Sequence, residues 1–229
     1  MANNTESVDD YLKAILELGG AEESKVTSNA LAERLGVRAA SVTGMLQKLA
    51  AAQPAFVKYE KHHGARLSAS GKKRALEIIR HHRLLERFLH DFLDYEWDEV
   101  HDEAERLEHF ISEKLEDRIA AKLEYPQTDP HGHPIPERSG ALAARQEVRL
   151  QHWACGVPAL ISSVSDRDPS GLRDMQRLGL LPGTAIVVQA GTRNSSMLVQ
   201  ISGQAKPVRL SQKLTDQIWV LPAVVPAVK

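Results

Sequence analysis

Residues 100–109, VHDEAERLEH, hold two histidines and four carboxylates within ten positions. A helix advances about 100° per residue, so four of these side chains would project within an arc of roughly 100°. They are His101, Glu105, Glu108 and His109. Imidazole and carboxylate groups three or four positions apart on a helix can converge on one cation. The stretch is either a ligand set for a cation or a solvated acidic helix face, and its spacing alone does not decide between them.

Two other segments offer ligands of the same chemical type. His82 and Glu86 are four residues apart in a strongly periodic stretch, and Asp9 and Asp10 lie in the first amphipathic segment. If these helices pack through their apolar stripes, Asp10, His82 and Glu86 can meet the side chains of residues 100–109. We predict this convergence. The neighbouring polar residues expected on the surface are His81, His90 and Glu103.

Charge is distributed unevenly along the chain, although the net charge is only −1. Residues 25–74 carry ten Lys and Arg against two acids, whereas residues 86–124 carry fourteen acids against five bases. Such polarity is expected where one part meets a polyanion and another meets cations, or where the two segments attract each other. The basic part also carries short polar side chains suited to phosphates and base edges. The predicted DNA-contacting residues are Arg38, Ser41, Thr43, Gly44, Gln47, Lys48, Lys58, Lys61 and Arg66.

Hydrophobic periodicity predicts the elements that position these basic residues. An amphipathic helix over 8–19 ends at two glycines. TSNALAERLGV and RAASVTGMLQKLAA then form two short helices joined by a glycine-containing turn, which is the helix-turn-helix pattern. FVKYEK and ARLSA form a β-hairpin around the His63-Gly64 turn. A helix-turn-helix followed by a basic hairpin is a winged helix.

The rest of the chain is predicted as a helical part and a small β part. Long amphipathic helices over 71–93 and from about 98 to 123 leave surplus apolar surface, which indicates a dimer interface. Residues 125–140 are rich in Pro and Gly and form a boundary. After a possible short helix near 141–151, a period of two predicts an SH3-like barrel from the segments TAIVVQAG, SMLVQISG, KPVRLS and QIWVLPAV, with LRDMQRLGLLPG as its helical turn.

The predicted fold class is therefore mainly α with small β. The predicted domains are a winged helix-turn-helix over 1–74, a helical dimerisation and metal-binding domain over 75–140, and a linker with an SH3-like domain over 141–229. No apolar run approaches the roughly 18 residues that cross a bilayer, and the N-terminus does not have the pattern of a signal peptide. The single cysteine, Cys155, fits a reducing compartment. We expect a cytoplasmic protein without a membrane partner.

The chain resembles the diphtheria toxin repressor family of metal-dependent transcriptional regulators, and especially its manganese transport regulator branch. The resemblance extends over essentially the whole chain. The motifs that carry it are DDYLKAILEL, SVTGMLQKL, GARLSASGKK, RHHRLLERFL, VHDEAERLEH, PHGHPIP and RLGLLPGT, the last like the FeoA iron-transport accessory domain.

The resemblance implies two metal sites. The primary site would consist of Asp10, Glu105, Glu108 and His109. The ancillary site would consist of His82, Glu86, His101 and Asp168, with Asp166 as the alternative to Asp168. The iron-responsive branch has Met and Cys where this chain has Asp10 and Glu105, and oxygen ligands favour harder ions such as Mn²⁺. The manganese branch has a glutamate three residues after its first-helix aspartate, where this chain has Lys13.

The expected function is that of a homodimeric, Mn²⁺-responsive regulator that binds palindromic double-stranded operator DNA, with the metal as co-repressor of metal-uptake genes. Fe²⁺ is the alternative effector, and Zn²⁺ or Cd²⁺ can occupy such sites in vitro. Two other classes stay open at this point. One is a metal-dependent enzyme on a helical bundle, although the HExxH spacing is absent. The other is a winged-helix regulator that senses a small molecule and whose carboxylates are only structural.

Overall fold

A computed structural model describes residues 2–20, 23–193 and 196–223. Contacts group the chain into two compact units, each assembled from three segments. The first unit contains residues 1–82, 105–118 and 136–144, and the second contains 83–104, 119–135 and 145–229. The division into three domains stays a prediction, and the last residues of the third, 224–229, lie outside the described residues.

The first unit contains the predicted winged helix. Thr27 caps its second helix, because its side chain accepts a hydrogen bond from the Ala30 amide, and Gly36 ends that helix in the left-handed conformation. In the hairpin, Lys58 pairs with Arg66. Apolar residues at helical spacing form the core between these elements. The bounds are α1 Ala2–Gly19, α2 Ser28–Leu35, α3 Ala39–Ala51, β1 Val57–Glu60 and β2 Gly64–Leu67.

The helical part differs from its prediction at one point. The bounds are α4 Ala69–Leu93, α5 Val100–Leu107 and α6 Glu113–Lys122. The prediction of one helix from about 98 to 123 is wrong, because residues 108–112 form a turn. Ser112 begins a new helix there: its side chain and its carbonyl both accept from the Leu115 amide. Glu108 and His109 therefore lie in the turn after α5 rather than on a continuous helix.

The second unit contains an antiparallel six-stranded sheet, whose strands in spatial order are Val148–Arg149, Ile218–Pro222, Pro158–Val164, Ala185–Arg193, Ser196–Ile201 and Val208–Ser211. Its core includes Ile161, Leu172 and Met175, with Trp97 from the segment 83–104. The bounds are β3 Val148–Arg149, β4 Pro158–Val164, α7 Pro169–Leu178, β5 Ala185–Arg193, β6 Ser196–Ile201, β7 Val208–Ser211, α8 Gln212–Thr215 and β8 Ile218–Pro222. Strands β3 and β4 were not predicted, and in place of the helix near 141–151 there are strand β3 and a 3-10 turn over Leu150–His152.

The fold class predicted from the sequence is confirmed: the structure is mainly helical, with a winged hairpin and a small C-terminal sheet. Among the residues that the structure describes, no helix combines the length and the apolar character that crossing a bilayer requires.

Candidate metal centres

The first candidate centre lies in the first unit, where helix α1 meets the turn that follows α5. The Nε2 atom of His109 is 3.1 Å from Asp10 Oδ1 and 3.6 Å from Glu108 Oε1. These three side chains bring one ligand atom each within 4.8 Å of one another, which is close enough to hold one metal ion. Glu108 is fully buried, whereas Asp10 lines an open cavity of about 210 Å³ through which an ion can enter.

Asp9 lies on the Nδ1 side of His109, opposite the Nε2 atom that faces Asp10. Its carboxylate accepts two hydrogen bonds of 2.8 Å from the Arg74 guanidinium, and its Oδ2 lies 3.6 Å from His109 Nδ1. The carboxylate of Asp10, followed by that of Asp9, raises the pKa of His109 to about 10. Burial raises the pKa of Asp9, but the nearby His109 and the hydrogen bonds from Arg74 outweigh burial and lower it. Asp9 is thus an orienting carboxylate of the kind that commonly accompanies a histidine ligand.

Lys13 lies beside the same glutamates and is the residue that the sequence analysis did not place in the site. Its ammonium donates to Glu105 Oε2 at 2.8 Å and to Glu108 Oε2 at 2.9 Å, and lies 3.2 Å from His82 Nδ1. Burial lowers the pKa of Lys13, but the Glu108 and Glu105 carboxylates outweigh it and raise the pKa above its usual value. Lys13 follows Asp10 by three positions, so its helical phase was the available signal.

His81 also contributes to the geometry of Glu108. It is buried rather than on the surface as expected, because its Nδ1 lies 3.1 Å from the Glu108 carbonyl oxygen and its Nε2 lies 3.0 Å from Glu116 Oε2. Arg80 donates to the other oxygen of Glu116. These contacts fix the turn that carries Glu108 against α4.

The donor set fits a divalent transition metal. Asp10 and Glu108 offer hard carboxylate oxygens and His109 offers an imidazole nitrogen, a combination that suits Mn²⁺, Fe²⁺ or Zn²⁺. In the primary set implied by the resemblance, Glu105 is the member that lies with Lys13 instead of with Asp10 and His109. Its assignment as a ligand stays a prediction.

The second candidate centre lies in the second unit. His101 Nδ1 is 3.2 Å from Glu86 Oε1 and 3.5 Å from Asp166 Oδ2. His131, which is fully buried, places its Nδ1 3.7 Å from the same oxygen of Glu86. Glu86, Asp129 and His131 form a second group whose ligand atoms lie within 4.8 Å of one another.

Two members of the predicted ancillary set, Glu86 and His101, lie together in this second centre. His82 belongs to the first unit, where its Nδ1 is 2.5 Å from Glu108 Oε2. The Asp168 carboxylate is held by Lys213, Ser170 and Gln217. Asp166, two residues earlier, is the aspartate that approaches His101. The ancillary site as predicted therefore stays a prediction.

Asp129 and His131 are metal-capable residues that sequence reasoning missed. They lie in the segment DPHGHPIP, which the sequence analysis treated as a boundary and as a family motif but not as a source of metal ligands. Asp129 Oδ1 accepts hydrogen bonds from the amides of His131 and His133, so the carboxylate folds the turn around itself. Two histidines beside a Pro-Gly turn were the signal that could have identified the site.

The predicted DNA-contacting residues lie on the winged helix of the first unit. All are exposed except Thr43, which is half-buried and donates from its hydroxyl to the Ala39 carbonyl within α3. On α3 the exposed residues alternate with the buried Val42, Leu46 and Leu49, which pack into the core. The polar face of α3 and the wing thus lie on the surface of the unit and do not pack into its core, as contact with DNA requires.

Three segments of the chain match models of known protein families. Residues 4–65 match "Iron dependent repressor, N-terminal DNA binding domain", and residues 68–137 match "Iron dependent repressor, metal binding and dimerisation domain". Residues 148–222 match "FeoA domain".

Whole-length relatives agree with these matches. The chain is 35% identical over 213 residues to the iron-dependent repressor IdeR of Mycobacterium tuberculosis (strain ATCC 25618 / H37Rv), an alignment that covers 86% of this chain and 90% of the relative. It is 33% identical over 125 residues to the HTH-type transcriptional regulator MntR of Bacillus subtilis (strain 168), which covers 55% of this chain and 85% of that relative.

Among solved structures, a manganese-dependent transcriptional repressor in complex with manganese has a TM-score of 0.86 and 37% identity, and covers 94% of this chain and 99% of that chain. The structure of ScaR with bound Zn²⁺ has a TM-score of 0.77 and 30% identity, with 94% and 99% covered. These relatives are DNA-binding repressors and not enzymes, and they confirm the resemblance noted in the sequence. The chain belongs to the diphtheria toxin repressor family of metal-dependent transcriptional repressors, a family that binds DNA and dimerises.

Proposed function

We propose that the chain is a homodimeric repressor that Mn²⁺ activates, and that it binds palindromic operator DNA of metal-uptake genes. The observation that carries the proposal is the all-oxygen-and-nitrogen group formed by Asp10, Glu108 and His109. Hard carboxylate ligands favour Mn²⁺ over softer ions at the metal concentrations that a cell maintains. The similarity to a manganese-dependent repressor over nearly the whole chain supports the same choice.

The residues of the first unit indicate how binding can reach the DNA-reading helix. Asp10 belongs to α1, and Leu12 and Ile15 of the same helix pack in one core with Leu31 of α2 and Leu46 of α3. A bound divalent ion supplies the positive charge that holds the Asp10 carboxylate to Glu108 and His109. Fixing α1 therefore fixes the element against which the helix-turn-helix packs, and favours the state that can dock on DNA.

In a dimer, two recognition helices must enter major grooves about one helical turn, or a multiple of it, apart, so the operator should be palindromic. The ancillary group would be a second, structural ion site built from Glu86, His101 and Asp166, with Asp129 and His131 as further ligands. The predicted contacts of the recognition helix and the wing carry the DNA binding itself.

Fe²⁺ is the second candidate effector, because relatives matched over most of this chain are named iron-dependent repressors. Carboxylate and imidazole ligands bind Fe²⁺ as well, so the donor set does not exclude it. The two effectors are distinguished by the concentration at which each one activates DNA binding.

The test is fluorescence anisotropy of the full chain on promoter DNA of metal-transport genes, at one fixed salt concentration. Mn²⁺, Fe²⁺ under anaerobic conditions, Zn²⁺ and a chelator are titrated in parallel. We expect Mn²⁺-dependent binding that the chelator reverses, and loss of that response in Asp10→Ala. Asp174→Ala, an exposed aspartate on α7, is the matched control. DNA binding that changes with neither metal nor chelator would contradict the proposal. Activation by Fe²⁺ alone would identify Fe²⁺ as the effector.

A further inference from the structure

Two three-ligand groups in the first unit share one glutamate. Asp10, Glu108 and His109 form the group described above, and His82, Glu105 and Glu108 form a second group whose ligand atoms also lie within 4.8 Å of one another. Glu108 is fully buried and contributes to both groups. The first unit therefore contains the side chains of a two-cation site, bridged by Glu108.

The second of these groups already holds a cation of the protein itself. The Lys13 ammonium is 2.8 Å from Glu105, 2.9 and 3.1 Å from the two oxygens of Glu108, and 3.2 Å from His82 Nδ1. An ammonium group has three N–H donors, and here both carboxylates accept from it: Glu105 through one oxygen and Glu108 through two. The Lys13 side chain is 5% exposed, so water does not replace these partners.

We propose that Lys13 is an internal monovalent cation that fills the second half of this site, limits it to one divalent ion, and holds Glu105 and Glu108 in place before metal arrives. The inference rests on the proposed metal-binding function. It adds a specificity-determining residue that sets the number of ions and is not itself a metal ligand.

The charges of the site support a single ion. Asp10, Glu105 and Glu108 carry three negative charges, and Lys13 reduces the sum to two, which one divalent ion neutralises. Asp9 adds no net charge because Arg74 pairs with it. Without Lys13, a third negative charge would stay uncompensated beside the fully buried Glu108, which is costly unless another cation replaces it. An ammonium nitrogen and a metal ion cannot occupy the same position, so the lysine excludes a second ion sterically as well.

The experiment counts Mn²⁺ per chain in the full-length protein, by equilibrium dialysis followed by metal analysis. The variants are Lys13→Gln, which removes the charge, and Lys13→Glu, which adds an oxygen ligand. Each is expected to bind one more Mn²⁺ per chain than the wild type, and the added ion should broaden the Mn²⁺ EPR signal because two ions that share Glu108 couple magnetically. Lys72→Gln is the control: Lys72 is exposed and pairs with Glu23, so the count should not change.

The outcomes separate this inference from the proposed function. A wild type that binds no Mn²⁺ overturns the proposed function. A wild type that binds Mn²⁺, together with folded Lys13 variants that bind the same number, overturns the role of Lys13. If both variants fail to fold, anomalous diffraction from Mn²⁺-loaded wild-type crystals decides: an ion beside Asp10, Glu108 and His109 with Lys13 still on Glu105 supports the inference. An ion between Glu105 and His82, with Lys13 displaced, overturns it.

Discussion

At the scale of the residue, the partly buried ion pair of Asp9 and Arg74 lies beside the Nδ1 atom of His109. Asp9 Oδ2 lies 3.6 Å from His109 Nδ1, which leaves Nε2 toward Asp10 and Glu108. A carboxylate on the far nitrogen fixes the ring orientation and the tautomer of a ligating histidine.

Replacement of Asp9 by Asn should therefore weaken Mn²⁺ binding about 10–100-fold, without removing a ligand. Isothermal titration calorimetry measures the change, and Asp174→Asn, an exposed aspartate that pairs with Arg177, serves as the control. Mn²⁺ affinity equal to that of the wild type in Asp9→Asn would show that Asp9 only pairs with Arg74.

The charge on His109 predicts a pH dependence of metal binding. Asp10 and Asp9 raise the pKa of His109 to about 10 in the metal-free protein, so the imidazole is protonated at neutral pH. A ligand nitrogen must lose its proton, and Mn²⁺ affinity should therefore rise about tenfold per pH unit between about pH 6 and 9 for the one proton released. Calorimetry in buffers of different ionisation enthalpy counts that proton.

The same pKa has the opposite effect on the metal-free fold. Because the folded-state value lies above the ordinary value of 6.5, this histidine stabilises the metal-free protein fully below pH 6.5, and the contribution is lost as pH rises through about 10. If the Mn²⁺ affinity does not change with pH, His109 does not lose a proton when Mn²⁺ binds, and the prediction is wrong.

At the scale of the element, the break between α5 and α6 places the ligands. Ser112 accepts from the Leu115 amide and begins α6, and the preceding turn directs Glu108 and His109 toward α1. Ser112→Ala should lower the free energy of unfolding by about 1 kcal/mol, the usual cost of losing such a cap. Urea denaturation in the presence of chelator measures it. Ser112→Asp keeps a side-chain acceptor, so its free energy of unfolding should equal that of the wild type. If the free energy of unfolding of Ser112→Ala also equals that of the wild type, another contact stabilises the start of α6.

The same break marks the limit of prediction from sequence. Periodicity correctly predicted the winged helix, α4 and most strands of the sheet, because their apolar residues recur at fixed spacing. The apolar pattern of α5 continues into α6, so periodicity alone predicted one helix, and only the cap at Ser112 reveals the turn. The resemblance led to Asp10, Glu108 and His109, which do lie together. Periodicity gives the face of a helix but not its partners, and for that reason the contacts of Lys13 and the position of His131 beside Glu86 were not predicted.

At the scale of the whole molecule, exposed apolar side chains indicate where two copies meet. Phe110 is 66% exposed in the turn after α5, within the segment that matches a dimerisation domain. An aromatic residue at the centre of an interface commonly contributes about 2 kcal/mol, so Phe110→Glu should raise the dimer Kd about thirtyfold. Sedimentation equilibrium measures this. Leu181→Glu replaces an exposed leucine outside that segment and should leave the Kd unchanged; an unchanged Kd in Phe110→Glu would place the interface elsewhere.

The uneven charge of the chain predicts how its DNA affinity depends on salt. The net charge of −1 would repel DNA weakly, yet residues 25–74 carry an excess of eight positive charges, and the wing presents Lys58 across from Arg66. Each lysine that neutralises a phosphate releases a counterion and contributes about 0.9 to the slope of log K against log salt. Because a bound dimer carries two copies of Lys58, Lys58→Ala should reduce that slope by about two and weaken binding to all DNA sequences equally. Anisotropy titrations at several salt concentrations with saturating Mn²⁺ test this, with Lys206→Ala, an exposed lysine outside the winged helix, as the control. If the slope of Lys58→Ala equals that of the wild type, the wing does not contact phosphates through Lys58. The electrostatic attraction would then come from the recognition helix.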